Sequence, residues 1–186
     1  PLLNNPDPLA RITSMKSDRQ DAYDRSDLTV VTDGMTIADV VDQIAALVDP
    51  GPEPDVRLSV RHSETEIFVR SGISEQVGQY VVARMPKARK AFVVTDANVE
   101  RLQAARILES LTQVGLHTQV IAVPAGEASK SWLVAGEVIG QLLDAGVQRN
   151  DVVVALGGGM VGDLAGFAAS VALRGVGIVQ VPTSLL

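Results

Sequence analysis

The sequence has 186 residues and no cysteine, which excludes disulfides, Cys-ligated zinc and thiol nucleophiles. Aromatic residues make up only 3% of it, so a core must be built from Val, Leu, Ile and Ala. It has two histidines, His62 and His117. They lie far apart, and neither has a carboxylate or a second histidine at metal-ligand spacing. Both read as structural or surface residues. There is no P-loop Gly-Lys-Ser/Thr and no Ser-His-Asp arrangement. No apolar run approaches the ~20 residues that span a bilayer, and the polar, Pro-rich N-terminus has no signal-peptide pattern. A cytoplasmic protein is therefore expected. The formal charge of −6 argues against a general nucleic-acid binder, although backbone amides can still bind phosphate locally.

What is present is a chain that is 46% hydrophobic, enough for one α/β domain with an appendage. It does not begin with Met and stops in an apolar run, Val181–Leu186, which suggests a piece of a longer protein. Residues 9–26 read as a polar helix, and Leu28–Thr32 as a short strand before the turn signal Asp33-Gly34. Thr36 is placed to cap a helix with apolar residues at Ile37, Val40, Val41, Ile44, Ala45 and Val48. Three prolines and a glycine within Asp49–Asp55 mark a linker. Arg57–Arg61 and Glu66–Val69 alternate like two strands, with a polar turn at His62–Glu64, and Ile73–Arg84 looks helical. The pattern then becomes regular: strand Ala91–Thr95, helix Val99–Val114, strand His117–Val123, helix Ser129–Ala145, strand Asp151–Leu156, helix Met160–Leu173, strand Gly177–Val181. This βα alternation predicts a Rossmann-like, doubly wound parallel sheet with helices on both faces.

In such sheets ligands bind beyond the C-terminal strand ends. The third strand of the series ends in Gly157-Gly158-Gly159-Met160-Val161-Gly162-Asp163. Gly157, Gly159 and Gly162 satisfy GxGxxG, and the motif follows a strand and opens a helix, as a phosphate-binding turn should. The plain alternative is a tight turn with close helix–sheet packing. The following helix is small and apolar and is expected to be buried. Asp163 in its first turn then either complements the helix dipole or accepts a ribose hydroxyl. The glycines follow the third strand rather than the first, and the position after the next strand is Thr183, not an acid. An ordinary dinucleotide dehydrogenase fingerprint is thereby excluded. Asp96 and Asn98 at the first strand end either cap a helix or contact an adenosine. Ser129 is a plausible cap, Glu127 and Lys130 lie on the strand-end rim, and Thr183 and Ser184 add two hydroxyls there. Trp132 and Tyr80 read as packing residues.

Taken together, Gly126–Ser131, Ala155–Phe167, Leu173–Gly175 and Gln180–Leu186 resemble 3-dehydroquinate synthase in order and spacing, and Thr95–Val99 fits its first nucleotide-binding strand end. The resemblance runs from about Val56 to Leu186. It implies an NAD site between this α/β domain and a C-terminal helical domain. Asp96 and Asn98 would contact the adenosine side, with Glu127 and Lys130 near the ribose. Gly158 and Gly159 would approach the pyrophosphate, Asp163 would hold the nicotinamide ribose, and Thr183 and Ser184 would complete the pocket. The family usually has a second Thr where Ser184 stands. Arg174 matches an arginine that reaches substrate phosphate across a homodimer interface. The implied reaction converts 3-deoxy-arabino-heptulosonate 7-phosphate, a small phosphorylated sugar acid, to 3-dehydroquinate and phosphate in the shikimate pathway. The implied divalent metal, zinc or cobalt, has its Glu and His ligands beyond Leu186, so no catalytic or metal residue is expected here and the chain should be inactive alone.

Residues 1–48 resemble the C-terminal end of a shikimate kinase, a P-loop kinase tail. Pro1-Leu2-Leu3, Arg19–Tyr23, Leu28–Gly34 and Thr36–Val48 carry that likeness. The expected organisation is a kinase remnant over 1–48, a linker over 49–55 and a synthase N-terminal domain over 56–186. Two other readings remain open: a metal-dependent alcohol or glycerol dehydrogenase, and a non-catalytic nucleotide-binding module.

Overall fold

The computed structural model describes residues 7, 9–10, 13–15, 17, 32–41, 53–60 and 63–184. The chain divides into two compact units, Pro1–Leu47 and Val48–Leu186. In the first, the described residues of the expected 9–26 helix are helical, while the Leu28–Thr32 strand lies outside the described residues except for Thr32. Residues 37–41 are helical as well. Thr36 caps them: its Oγ1 accepts the Asp39 N–H at 3.2 Å, and the Asp39 carboxylate accepts the Thr36 N–H at 3.1 Å. This reciprocal pair satisfies two amides that the first turn leaves without partners.

The second unit opens with an antiparallel hairpin, β1 (Val56–Val60) and β2 (Ser63–Ile67). The second strand starts three residues earlier than the alternation suggested, because Val60 pairs with Ser63 in a tight connection; His62 lies outside the described residues. Arg57 and Glu66 face each other across the ladder and are bonded at 2.8 Å. Arg84 also binds Glu66, which anchors the hairpin's charged face. The opposite face carries Val56, Leu58 and Ile67, all exposed. A 3₁₀ turn, Ile73–Gln76, leads into α1 (Val77–Arg84). Tyr80 of α1 packs edge-on against Phe68 with ring centroids 4.5 Å apart, the packing role expected of it.

Four parallel strands follow: β3 (Lys90–Asp96), β4 (His117–Val123), β5 (Val152–Gly157) and β6 (Gly177–Pro182), in the order β4-β3-β5-β6. The helices between them are α2 (Ala105–Gln113), α3 (Trp132–Asp144) and α4 (Gly159–Val171). α2 is preceded by a short helical turn Ala97–Val99 and a π segment Glu100–Ala104. β3 and β5 are central, so both their faces must be apolar. Phe92, Val94, Val153 and Ala155 pack with α3 and α4. Their alternates Ala91, Val93, Val152, Val154 and Leu156 pack with α1 and α2. The period of two thus splits one run of Val and Ala into two cores, and helices cover both faces as expected.

On the second face α1 lies very close to α2. A Cβ on Gly78 would stand 2.1 Å from the Ser110 carbonyl oxygen, and the Gly78 N–H donates to Ser110 Oγ at 2.9 Å. At the strands' starting edge, the buried Asp151 carboxylate accepts the N–H groups of Lys90 and Gln148 at 2.9 and 2.8 Å. Lys90 Nζ donates to the Ala145 carbonyl at 2.8 Å, closing the end of α3 where Gly146 turns through φ 67°. β3 begins at Lys90 rather than Ala91 because Asp151 holds that amide, a contact 61 residues away in sequence.

Candidate functional site at the strand ends

The four parallel strands deliver their C-terminal ends to one rim. The Thr183 N–H donates to the Gly157 carbonyl at 3.0 Å, so β5 and β6 finish together and Thr183 and Ser184 arrive beside the glycine turn. The three glycines have different surroundings. A Cβ on Gly157 would meet Val161 Cβ at 2.7 Å, and one on Gly162 would meet the Gln180 side chain at 2.7 Å. Both are places where helix and sheet are tightly packed, as the plain alternative anticipated. Gly158 has its own neighbour: a Cβ there would stand 2.8 Å from Ser184 Oγ. Gly158 is half-buried and Gly159 exposed. α4 begins at Gly159, so the amides of its first turn have no intrahelical acceptor. Bare backbone, a helix N-terminus and a hydroxyl converge here, which is the chemistry a phosphate group needs.

Asp163 occupies the first turn of α4 but is exposed, which corrects the expectation that a small apolar helix would bury it. α4 does bury Val161, Leu164, Ala165, Ala168 and Ala169, and Asp163 lies on the face they leave open. Its Oδ2 is 2.6 Å from Lys130 Nζ, and Glu127 is 3.7 Å from the same ammonium. The hydrogen bond to Asp163, then its charge and that of Glu127, hold the Lys130 ammonium above the usual lysine range, so Lys130 is a cation throughout the neutral range.

Glu127 sits in a 3₁₀ turn, Glu127–Ser129. Ser129 is not the cap of the next helix: its buried hydroxyl donates to the Pro124 carbonyl at 2.6 Å. The cap is Ser131, which accepts from the Val134 N–H at 3.4 Å, so the helix starts at Trp132. At the β3 end, Asp96 is a cap: Oδ1 accepts from the Asn98 and Val99 N–H groups at 2.9 and 3.1 Å. Asn98 is exposed, and its Oδ1 accepts from Arg101 at 2.7 Å.

Arg174 is not brought to this rim. It precedes β6, at the starting edge of the sheet, in a turn where Leu173 and Arg174 have φ of 51° and 68°. His117 opens β4 and is exposed.

One expectation about packing fails. Trp132 is 81% exposed, and its ring meets Phe167 edge-on at 5.1 Å. Together with Lys130, Ser131, Ala135, Asp163 and Leu164 they line a groove of about 270 Å³. The sequence carried a weak signal of this: Trp132 stands at the first helical position, where a side chain has little to pack on. Among the described residues no group of three or more His, Asp or Glu side chains could hold a metal. Among them, too, no helix is long and apolar enough to cross a membrane.

Residues 120–186 match the family model for the N-terminal part of 3-dehydroquinate synthase. The 3-dehydroquinate synthase of Symbiobacterium thermophilum is 48% identical over 120 residues, covering 64% of this chain and 34% of that protein. That of Roseobacter denitrificans is 43% identical over 131 residues, covering 70% of this chain and 35% of that protein. The chain therefore spans about a third of these relatives' length. Among solved structures, a 2-deoxy-scyllo-inosose synthase complexed with carbaglucose-6-phosphate, NAD+ and Co2+ superposes with TM-score 0.63 at 20% identity, covering 69% of this chain and 35% of the other. A 2-epi-5-epi-valiolone synthase from Streptomyces hygroscopicus with NAD+ and Zn2+ bound gives 0.56 at 24%, covering 69% and 35%. The NADH-dependent butanol dehydrogenase A of Thermotoga maritima gives 0.56 at 18%, covering 70% and 36%. These likenesses show the fold.

Proposed function

Residues 120–186 are a stretch of the N-terminal domain of the 3-dehydroquinate synthase family, and on that premise we propose that this chain is the NAD-binding part of a 3-dehydroquinate synthase. The observation that carries the proposal is the convergence of Gly158, Ser184, Lys130 and Asp163 at one strand-end rim. Gly158 and Gly159 offer bare backbone and first-turn amides to the pyrophosphate. Asp163 accepts ribose hydroxyls, and Lys130 with Glu127 serves the neighbouring sugar. Thr183 and Ser184 border the glycine turn. Asp96 and Asn98 lie at the adjoining strand end for the adenosine side, although Asp96 is already engaged as a cap. When bound, NAD supplies a reversible hydride transfer that makes the neighbouring C–H of the sugar acid acidic enough for phosphate to leave. The protein's own work is to fix the cofactor's two riboses and phosphates against the sheet. The described residues offer no donor set for a divalent metal, so no step is assigned to a metal on them.

Arg174, at the opposite sheet edge, cannot serve this rim within one chain by the order of the strands. Its proposed role is to reach the substrate phosphate in the site of a second copy, in a cytoplasmic homodimer. Residues 1–48 are proposed to be a shikimate kinase remnant; an upstream Gly-x-x-x-x-Gly-Lys-Ser/Thr in the gene tests this.

The test of the main reading is NAD+ binding by calorimetry together with phosphate release from the sugar-acid phosphate in the full-length protein. Asp163→Ala removes a charged acceptor worth about 1.5–3 kcal/mol, so NAD+ affinity should fall roughly ten- to hundredfold. Unchanged affinity removes Asp163 from the site. The fold likeness to a butanol dehydrogenase keeps a dehydrogenase as the second reading. Net accumulation of NADH with a simple polyol favours it, because a synthase returns its hydride.

A further inference from the structure

The groove between the first turns of α3 and α4 has no role in the reading above. Its apolar lining is Trp132, Ala135, Leu164 and Phe167, and its polar lining is Lys130, Ser131 and Asp163. Trp132 is held only at an edge by Phe167, at 89° between the ring planes, and four fifths of its surface is in water. A large aromatic ring in that position keeps a π-face free for another flat ring.

We infer that this groove takes the flat heterocycle of a nucleotide whose ribose is held by Lys130 and Asp163, with Trp132 as the ring that stacks on it. The apolar walls match a heterocycle. The 2.6 Å Lys130–Asp163 pair offers a donor and an acceptor side by side, which suits a sugar bearing two hydroxyls. The Lys130 cation and the first-turn amides of α3 suit the phosphate that follows. Ring, sugar and phosphate thus meet matching chemistry in the order in which a nucleotide presents them. The inference rests on the dinucleotide reading of Lys130 and Asp163. It adds a ring-binding residue that neither the glycine turn nor the strand ends supply.

Adenine and nicotinamide share this chemistry, and the mononucleotides separate them. Trp132 is the only tryptophan of the chain, so its fluorescence reports on the groove alone. Titration with NAD+ should change the emission saturably. Of AMP and nicotinamide mononucleotide, the one whose ring enters the groove should do the same. Base–aromatic stacking is strong enough that Trp132→Leu should weaken NAD+ binding by roughly tenfold or more in calorimetry, while Trp132→Phe, which keeps a ring, should restore most of it. The side chain is exposed, so neither change opens the core, and thermal unfolding of both variants checks this. Equal NAD+ affinity for the wild type and Trp132→Leu overturns the inference and leaves the dinucleotide reading standing. A wild type that binds no NAD+ removes that reading, and the inference with it.

Discussion

Thr95 is fully buried near the end of β3, and among the described residues its hydroxyl has no hydrogen-bond partner. A buried hydroxyl without a partner costs about 1–3 kcal/mol on the scale of protein substitutions. Valine has nearly the same shape and no polar atom. Thr95→Val should therefore raise the unfolding free energy by about 1 kcal/mol, read as a higher urea midpoint at unchanged slope. A lower midpoint would mean that the hydroxyl has a partner in solution. Asp151 is the opposite case. Its carboxylate is just as deep, but it accepts the Arg89, Lys90 and Gln148 N–H groups, so its burial is compensated.

At the scale of elements, the β1–β2 hairpin shows how charge can anchor a strand pair that has little core of its own. Two strands alone are marginal in water, and here Glu66 ties them to Arg84 of α1 and to Arg57. The hydrogen bond from Arg84, followed by the charges of Arg84 and Arg57, holds the Glu66 carboxyl below the usual carboxylate range against the opposing effect of burial. A carboxyl whose folded value is depressed stabilises fully above its unfolded value and loses that stabilisation as pH falls through the folded one. The hairpin's anchor should thus be intact at neutral pH and weaken in acid, below the ordinary carboxylate range. Native-state hydrogen exchange of the β1–β2 ladder should rise there. In Glu66→Gln it should already be raised at neutral pH, with a flatter acid dependence. An identical acid profile in the variant would assign the effect to other carboxylates.

For the molecule as a whole, the decisive dimension is the spacing of helices over a flat Val and Ala sheet. α1 and α2 touch through Gly78, where an added methyl group meets the backbone of Ser110 rather than a movable side chain. Gly78→Ala should lower the unfolding free energy of the α/β unit by about 1–3 kcal/mol, despite alanine's better helix propensity; circular dichroism against urea checks it. The strands could be read from their β-branched runs because that signal is local, and so could the Gly115 and Gly146 helix ends. Other features depend on distant partners. The start of β3 rests on Asp151, the choice of Ser131 over Ser129 as a cap rests on the Pro124 carbonyl, and the exposure of Asp163 rests on which face of α4 meets the sheet. The π segment Glu100–Ala104 leaves no pattern in composition. The site was legible as far as Gly158, Asp163, Lys130, Thr183 and Ser184 share a rim. The aromatic groove was not, because a tryptophan on a helix reads as core until its neighbours are known.

The glycine turn also sorts its members by how they would drift over evolutionary time. Gly157 and Gly162 are held by Val161 and Gln180, partners inside the fold, so a descendant that had abandoned every cofactor would still keep them. Gly158 answers to Ser184 at the rim, where the serine can rotate away once nothing is bound. Among remote descendants the outer two glycines would therefore mark ancestry, while the identity of residue 158 would tell whether the trade had been kept.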